Sequence, residues 1–213
     1  MRILLLCLLL GAAPFSWAEL AAARVNGVEI SVMRLERYLT EYLEDQGRAV
    51  TSIRSPSLYK RLRGQALDEL IDKELLWQEA QRRGIAVSDD EVAAQVGQIE
   101  QAVGSPVVFE QRLAEAGFGR ASFADYTRHE LAAQRAYAQL TQVAEPSAAD
   151  VEAFYQANEE SLQGVQNQSD NTSVLQEQGL ARARVALAGQ LQAQARQSVR
   201  QRLRENAQVE RAD

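Results

Sequence analysis

The sequence predicts a mainly α-helical protein with a small β-hairpin near its N-terminus and a C-terminal helix that folds back. Three observations support this prediction. Apolar residues recur at helical spacing through most of the chain, capping sequences and glycines separate the apolar segments, and Asn26-Gly27 is the turn sequence of a two-residue hairpin. Several helices joined by tight caps, with one hairpin, therefore account for most of the chain.

The first 18 residues have the features of a secretory signal peptide. Arg2 supplies a positive charge, residues 3–10 form an uninterrupted apolar run, and the small residues Ser16 and Ala18 mark a cleavage site before Glu19. The apolar run is far shorter than the roughly 20 residues that span a bilayer. We therefore favour cleavage near Ala18 over a membrane anchor, and we expect a periplasmic or otherwise exported protein.

Cys7 is the only cysteine, and it lies inside the predicted signal peptide. After cleavage the chain would have no disulfide and no thiol chemistry, although export permits disulfides. Later apolar runs are too short to span a bilayer, so we expect no stable membrane insertion. A chain of this length is expected to form one domain, with or without an appendage.

Charge is distributed unevenly along the chain. The formal net charge is −6, yet residues 180–213 have seven arginines against three acidic residues. A basic tail therefore follows an acidic body, and we expect the tail to dock on that body. An acidic exported chain is poorly suited to binding nucleic acid, so we expect no nucleic-acid partner.

The first predicted elements are the hairpin over 23–31 and a helix that Ser31 caps and Gly47 ends. The expected buried stripe of that helix is Val32, Leu35, Leu39, Tyr42 and Leu43. A second helix of about 26 residues begins near the candidate cap Ser57 and stops at Gly84.

Capping sequences mark the next helices. The predicted starts are Ser88, which forms a capping box with Glu91, then residues 104–106, Ser122 and residues 146–150. The helix that starts at Ser88 is predicted to end at about Val103, and the one that starts at 104–106 to end at Gly117. The helix that starts at 146–150 is predicted to end at about Asn158.

The tail has an apolar residue at every fourth position: Ala183, Leu187, Leu191, Ala195, Val199 and Leu203. Since a helix repeats every 3.6 residues, this stripe drifts by about 40° per step and winds around the helix. We expect a helix over 180–206 that wraps against the N-terminal body. Residues 207–210 are expected to add a strand beside the hairpin.

Residues 161–179 form the most polar stretch, with no aromatic residue and no Lys or Arg. So short a polar segment cannot bury a core of its own. We expect a flexible linker there, with a span of roughly 24 Å that suffices to return the chain to the body.

Catalytic and metal-binding patterns are sparse. His129 begins "HELAA", but Ala133 stands where the zinc-binding HExxH pattern needs its second histidine. The acidic run after Ser88 suits the positive end of a helix dipole better than a metal site. The sequence has no nucleophile elbow and no Gly-rich phosphate loop, so we expect no catalytic residue, no metal and no cofactor.

Several segments, in this order, resemble the N-terminal domain of SurA-type periplasmic chaperones and the related PrsA-like foldases. The two strongest are "ALDELIDKELLWQEAQRRGIAVSDDEV" (66–92) and "FEQRLAEAGFGRASFADYTRHEL" (109–131). The others are "RVNGVEIS" (24–31), "PSAADVEAFYQANEE" (146–160) and "RQRLRENAQVE" (200–210). Together they cover roughly residues 24–160 and 180–210.

The resemblance implies a domain division and a function. Members of the family have parvulin-type prolyl isomerase domains between the parts that correspond to 19–160 and 180–213, whereas 161–179 is too short for such a domain. It therefore implies an ATP-independent chaperone that binds unfolded or extended polypeptides, outer-membrane proteins among them, without isomerase catalysis. Aromatic candidates for a peptide-binding groove are Tyr38, Tyr42, Trp77, Phe109, Phe118, Phe123 and Tyr126, of which at least half are expected to be core residues.

Two alternatives remain open. The same resemblance fits a dedicated assembly or scaffold factor of an envelope or exopolysaccharide export system, which would bind one partner instead of many clients. An active peptidyl-prolyl cis-trans isomerase is favoured by the family's name alone.

Overall fold

The computed structural model of the chain describes residues 20–162 and 172–212, with side chains for all of these except 172–175. The predicted signal peptide and the middle of the predicted linker lie outside the described residues. The strands are β1 (Ala21–Val25), β2 (Val28–Ser31) and β3 (Val209–Arg211). The helices are α1 (Val32–Glu44), α2 (Pro56–Arg82), α3 (Asp89–Val103), α4 (Pro106–Glu115), α5 (Arg120–Leu140), α6 (Ala148–Ala157), α7 (Glu159–Leu162) and α8 (Thr172–Glu205). The predicted mainly α-helical fold is confirmed.

The hairpin forms where Asn26-Gly27 predicts it. Both turn residues have positive φ, 52° at Asn26 and 85° at Gly27, which a two-residue hairpin turn of this type requires. β3 then pairs antiparallel with β1 to give the sheet order β2-β1-β3, with Val25 opposite Val209. The predicted third strand is confirmed, although it begins at Val209 and not at residue 207.

Three of the predicted helix caps are confirmed. Ser31 Oγ accepts from the backbone N–H of Arg34 at 3.2 Å. Ser88 and Ser147 each complete a capping box with the acidic residue three positions on. Each serine satisfies a backbone donor that has no partner inside its own helix.

Two predicted helix starts are wrong. Ser55, not Ser57, caps α2, because Pro56 occupies the first helical position, where its missing N–H costs nothing. Gly119 is the N-cap of α5, and Ser122 is already the third helical residue, where its Oγ accepts from the N–H of Gly119 at 3.0 Å. The end of α1 is also earlier than predicted, since Gly47 lies beyond its last residue, Glu44.

The largest core lies between the sheet, α1 and α2. Leu35, Leu39 and Leu43 of the predicted α1 stripe are fully buried there, whereas Val32 and Tyr42 are half-buried at its edge. A second core joins α2, α3 and α5, and a third joins α6, α7 and α8. Because α2 contributes to the first two cores, it is the central helix of the body.

The predicted linker is partly wrong. Residues 159–162 form α7, and α8 begins at Thr172, so the second half of the polar stretch starts a long helix and is not a flexible connection. Residues 163–171 lie outside the described part of the chain. Glutamine has a favourable helix propensity, so this polar sequence is compatible with a helix. Packing of α8 against α6 stabilises that helix.

The basic tail docks on the acidic body, as the charge distribution predicts. Arg204 Nε lies 2.6 Å from Asp72 Oδ1, and Arg211 Nη2 lies 2.5 Å from Asp68 Oδ1. Leu203, Ala207 and Val209 pack against the largest core. None of the helices that the structure describes is long and apolar enough to cross a membrane.

Candidate binding groove

A groove with a volume of about 760 Å³ lies between α2, α3, α5 and α8. Its apolar lining comes mainly from Leu76, Ile99, Phe123, Leu131, Val199 and Leu203. Grooves of this size that combine apolar walls with a few polar groups are the usual binding sites of proteins. This groove is therefore the candidate functional site.

Leu76 lies on the side of α2 that faces the groove, next to the side that faces the largest core. Leu75 is buried in the largest core, and consecutive residues of a helix point about 100° apart. Leu76 therefore leaves the core face and lines the groove, where it stays half-buried. On the opposite side, Val199 and Leu203 belong to the winding stripe of α8, so the docked tail forms one wall.

Charged side chains at the rim of the groove are held by neighbours. Lys73 Nζ donates to Glu130 Oε2 at 2.8 Å, between α2 and α5. The Tyr38 hydroxyl donates to Glu69 Oε2 at 2.7 Å. The rim therefore offers charges of both signs around an apolar floor.

Tyr126, which lines the groove, and Tyr38, which contacts the groove residue Glu69 from outside the lining, both stay neutral. Burial raises the pKa of Tyr38 above its ordinary value, and its hydrogen bond to Glu69 raises that pKa further. Burial likewise raises the pKa of Tyr126, and the nearby charges of Glu130 and Glu41 add to the effect. Both side chains therefore present an aromatic ring and an un-ionised hydroxyl group.

The structure brings four of the seven aromatic candidates into one cluster. Phe123 lies edge-on to Phe109 and to Phe118, with ring centroids 5.7 and 5.6 Å apart, and Tyr126 lies 5.3 Å from Phe118. The guanidinium carbon of Arg37 sits 4.1 Å above the Phe118 ring. Only Phe123 and Tyr126 of this cluster line the groove. Phe109 is 2% exposed, so it is a core residue and cannot contact a client here.

The other three candidates lie outside the groove lining. Tyr38 and Tyr42 are half-buried and pack against the largest core. Trp77 packs against the second core and stacks on His129, with ring centroids 3.9 Å apart and 18° between the planes. Burial lowers the pKa of His129 below its ordinary value. The peptide-binding role assigned to these aromatics from the sequence stays a prediction.

Sequence reasoning missed most of the aliphatic lining of the groove. Leu76, Ile99 and Leu131 were not candidates, because only aromatic residues were selected as a binding surface. A signal was available at Leu76, which adds an apolar residue next to the buried stripe position Leu75. For Ile99 and Leu131 the approach of α3 and α5 decides exposure, and the sequence pattern alone does not give it.

The polar groups that line this groove are amides, hydroxyls and charged side chains. In residues 20–162 and 172–212, no three His, Cys, Asp or Glu side chains are grouped so that they could hold a metal ion. His129 does not line the groove. The lining therefore combines apolar area with amides and the ion pair of Lys73 with Glu130.

No curated protein matches the sequence. A solved structure described with the virulence factor PEB4 and the periplasmic protein Cj1289, two structurally related SurA-like chaperones of Campylobacter jejuni, is 14% identical, with a TM-score of 0.49, and the match covers 90% of this chain and 98% of that chain. The model of the SurA-like N-terminal domain matches residues 3–137. Because that match spans more than half of the sequence, the chain belongs to the family of SurA-like N-terminal domains.

Proposed function

We propose that this chain is an exported, ATP-independent chaperone-like protein that binds unfolded or extended polypeptide segments, including those of outer-membrane proteins, in the groove between α2, α3, α5 and α8. The observation that supports this most is the apolar floor of the groove beneath a rim of mixed charge. Burial of apolar surface is non-directional, so such a floor accepts many sequences. Family membership supports the same class of function.

The rim explains why binding would be reversible and broad. Lys73 and Glu130 already satisfy each other, so a client need not supply a particular charge to neutralise them. A flexible client loses conformational entropy when it binds, and this loss keeps the affinity moderate for a given contact area. Neither contribution requires nucleotide.

The test is an aggregation assay with residues 19–213 and several unfolded polypeptides, one of the outer-membrane type, without ATP. We expect near-stoichiometric protein to slow aggregation. The variants Leu76→Asn and Ile99→Asn place polar groups on the floor without touching the buried clusters, and should weaken protection. Val107→Asn is the matched control, because Val107 is 78% exposed and outside the groove.

The breadth of protection separates the proposal from its alternative. Protection of several unrelated clients supports a general chaperone. Protection of none, together with capture of a single partner from periplasmic extract, would favour a dedicated assembly factor of an envelope or exopolysaccharide export system. If Val107→Asn lost as much protection against aggregation as Leu76→Asn and Ile99→Asn, the assignment of client binding to the groove would be contradicted.

We also propose that the chain has no prolyl isomerase activity. The segment between Leu162 and Thr172 is too short to fold as a separate parvulin domain. Purified residues 19–213 should not accelerate cis/trans isomerisation of an X-Pro peptide above background in a protease-coupled assay. Robust catalysis would contradict this part of the proposal.

Export is proposed from the N-terminal sequence. The charged start, the apolar run and the small residues before Glu19 support cleavage after Ala18. N-terminal sequencing of the protein from a periplasmic fraction should begin at Glu19. Recovery of the full chain from the cytoplasm would contradict export.

A further inference from the structure

A second cavity, of about 490 Å³, lies where the C-terminal ends of α2 and α8 meet the turn of the hairpin. It shares only Leu203 with the groove. Arg82 and Arg83 line it from α2, and Arg202 lines it from α8. We refer to it as the arginine cleft.

One carboxylate, that of Glu79, lines the cleft together with the three arginines and contacts two of them. Glu79 is 7% exposed, and it accepts hydrogen bonds from Nε and Nη2 of Arg82 at 2.8 and 2.7 Å and from Nε of Arg83 at 2.6 Å. These bonds fix both arginines at the wall of the cleft. The hydrogen bond from Arg82 and the neighbouring Arg83 hold the pKa of Glu79 below its ordinary value, so this carboxylate remains charged.

Glu79 does not use all the donors of these arginines. Nη1 of Arg82 and both terminal nitrogens of Arg83 make no hydrogen bond to any described residue. Within residues 20–162 and 172–212, the side chain of Arg202 has no ion pair or hydrogen bond. The cleft therefore has a formal charge of +2 and unused, forked donors.

The amide side chains around the cleft are already engaged. Asn26 Nδ2 donates to Gln78 Oε1 at 2.7 Å, and Gln78 Nε2 donates to the carbonyl of Val25 at 3.1 Å. This chain of hydrogen bonds ties the hairpin turn to α2 and makes one wall of the cleft rigid. It leaves the guanidinium groups as the main free donors.

Two helix C-termini meet at this place, and their exposed carbonyls would repel an anion. The capping bonds reduce that repulsion. The N–H of Ile85 bonds the carbonyl of Ala80 at 2.9 Å, and the N–H of Gly84 bonds that of Gln81 at 3.0 Å. At the end of α8, the N–H of Ala207 bonds the carbonyl of Arg204 at 3.2 Å.

We propose that the arginine cleft binds a phosphate-class oxyanion, held by Arg202 and by the free terminal nitrogens of Arg82 and Arg83. Guanidinium groups present paired donors that match the oxygens of phosphate. A phosphate carrying two negative charges balances the charge of +2, whereas one carboxylate balances half of it. This inference does not rest on the chaperone proposal, because the three arginines do not line the groove and Leu203 is the one residue that the two cavities share.

The phosphate can come from a soluble molecule or from a lipid headgroup, and two arms of one experiment distinguish these sources. The first arm titrates residues 19–213 with inorganic phosphate in a calorimeter at low salt. The second measures sedimentation with vesicles that contain phosphatidic acid, whose monoester phosphate can carry two negative charges, with phosphatidylcholine vesicles as the neutral reference. Binding in either arm should weaken as salt is added, because ions screen the guanidinium charges.

Arg202→Gln is the decisive variant, since its side chain takes no part in the contacts that hold the fold. We expect it to weaken binding by about tenfold, the effect of losing one charge-assisted contact. Arg196→Gln is the matched control, because it removes the same charge from the same helix outside the cleft and should bind like the unaltered protein. Absence of binding in both arms, or equal weakening by both variants, would overturn the proposal.

Discussion

Among the glycines that the structure describes, Gly179 of α8 is the one at which an added methyl group would meet a neighbouring side chain. A Cβ there would overlap Cε2 of Tyr155 and lie 3.0 Å from its Cζ, and the Tyr155 side chain is buried. The absence of a side chain at Gly179 therefore lets α8 approach α6 closely. Together with Val151 and Ala183, this contact forms the core that holds the start of α8.

We predict that Gly179→Ala destabilises the protein. Overpacking of a filled site costs about 1–3 kcal/mol, which exceeds the roughly 0.5–1 kcal/mol that alanine gains over glycine inside a helix. Gly189→Ala on the same helix is the control, because no atom lies within 4 Å of its added Cβ, and it should stabilise. Urea unfolding of both variants tests this. A gain in stability from Gly179→Ala would show that α6 and α8 do not pack in this way.

His129 gives a prediction about pH. Burial against Trp77 lowers the pKa of its ring below the ordinary 6.5, so the folded protein binds this proton less readily than the unfolded chain does. The stability contributed by neutral His129 is therefore complete above pH 6.5 and declines as the pH falls below it. As the chain has one histidine, its NMR titration is unambiguous.

The expected titration midpoint of His129 is below 6.5 in the folded protein. Trp77→Leu should move it back towards 6.5, because the ring that excludes water is removed. Phe154→Leu, which lies in the core between α6 and α8, should leave it unchanged. A midpoint at or above 6.5 in the unaltered protein would mean that the stacked arrangement is not formed in solution.

At the scale of the element, the start of α2 separates two serines that look equivalent in the sequence. Ser55 Oγ accepts from the N–H of Leu58 at 3.4 Å, whereas Ser57 lies inside the first turn. We predict that Ser55→Ala lowers the free energy of unfolding by about 1 kcal/mol, the usual effect of losing an N-cap. Ser57→Ala should be close to neutral, because Ser57 caps nothing and is exposed.

Thermal unfolding of the two serine variants measures this difference. If both lowered the melting temperature equally, the hydroxyl pair at 2.9 Å between Ser55 and Ser57 would be the stabilising contact, and the cap would not be. The correct cap of α2 is important because this helix contributes to two of the cores and to the groove.

At the scale of the whole molecule, the tail completes both the body and the groove. β3 pairs with β1, Arg204 and Arg211 bind the acidic pair Asp68 and Asp72, and α8 supplies Val199 and Leu203 to the groove wall. A two-stranded hairpin is marginal by itself in water, so the third strand stabilises it. The tail thus contacts the body through both α8 and β3.

We predict that deletion of 180–213 destabilises the N-terminal body. Thermal melts of residues 19–213 and 19–160 in identical buffer provide the comparison, and the shorter protein should melt at a lower temperature or without cooperativity. Added salt should reduce the difference between the two melting temperatures, because the arginine–aspartate contacts are partly exposed and salt screens them. A cooperative melt of 19–160 at an unchanged temperature would show that the tail is an independent appendage.

The sequence by itself determined the local structure of this protein. The turn at Asn26-Gly27, the caps at Ser31, Ser88 and Ser147, and the leucine stripe of α1 depend on interactions within a few residues. Such interactions leave fixed spacings in the sequence, which is why they could be predicted. The docking of the tail was also predictable, because an excess of arginine followed an acidic body.

Only the tertiary structure decided which residues line the groove and where α8 begins. Phe109 and Phe123 are both aromatic residues next to helix starts, yet one is core and the other lines the groove, because α4 and α5 approach each other at Phe109. The polar residues from Thr172 onward become helix because α8 packs on α6. Exposure and long-range packing depend on residues distant in the chain, and no local pattern encodes them.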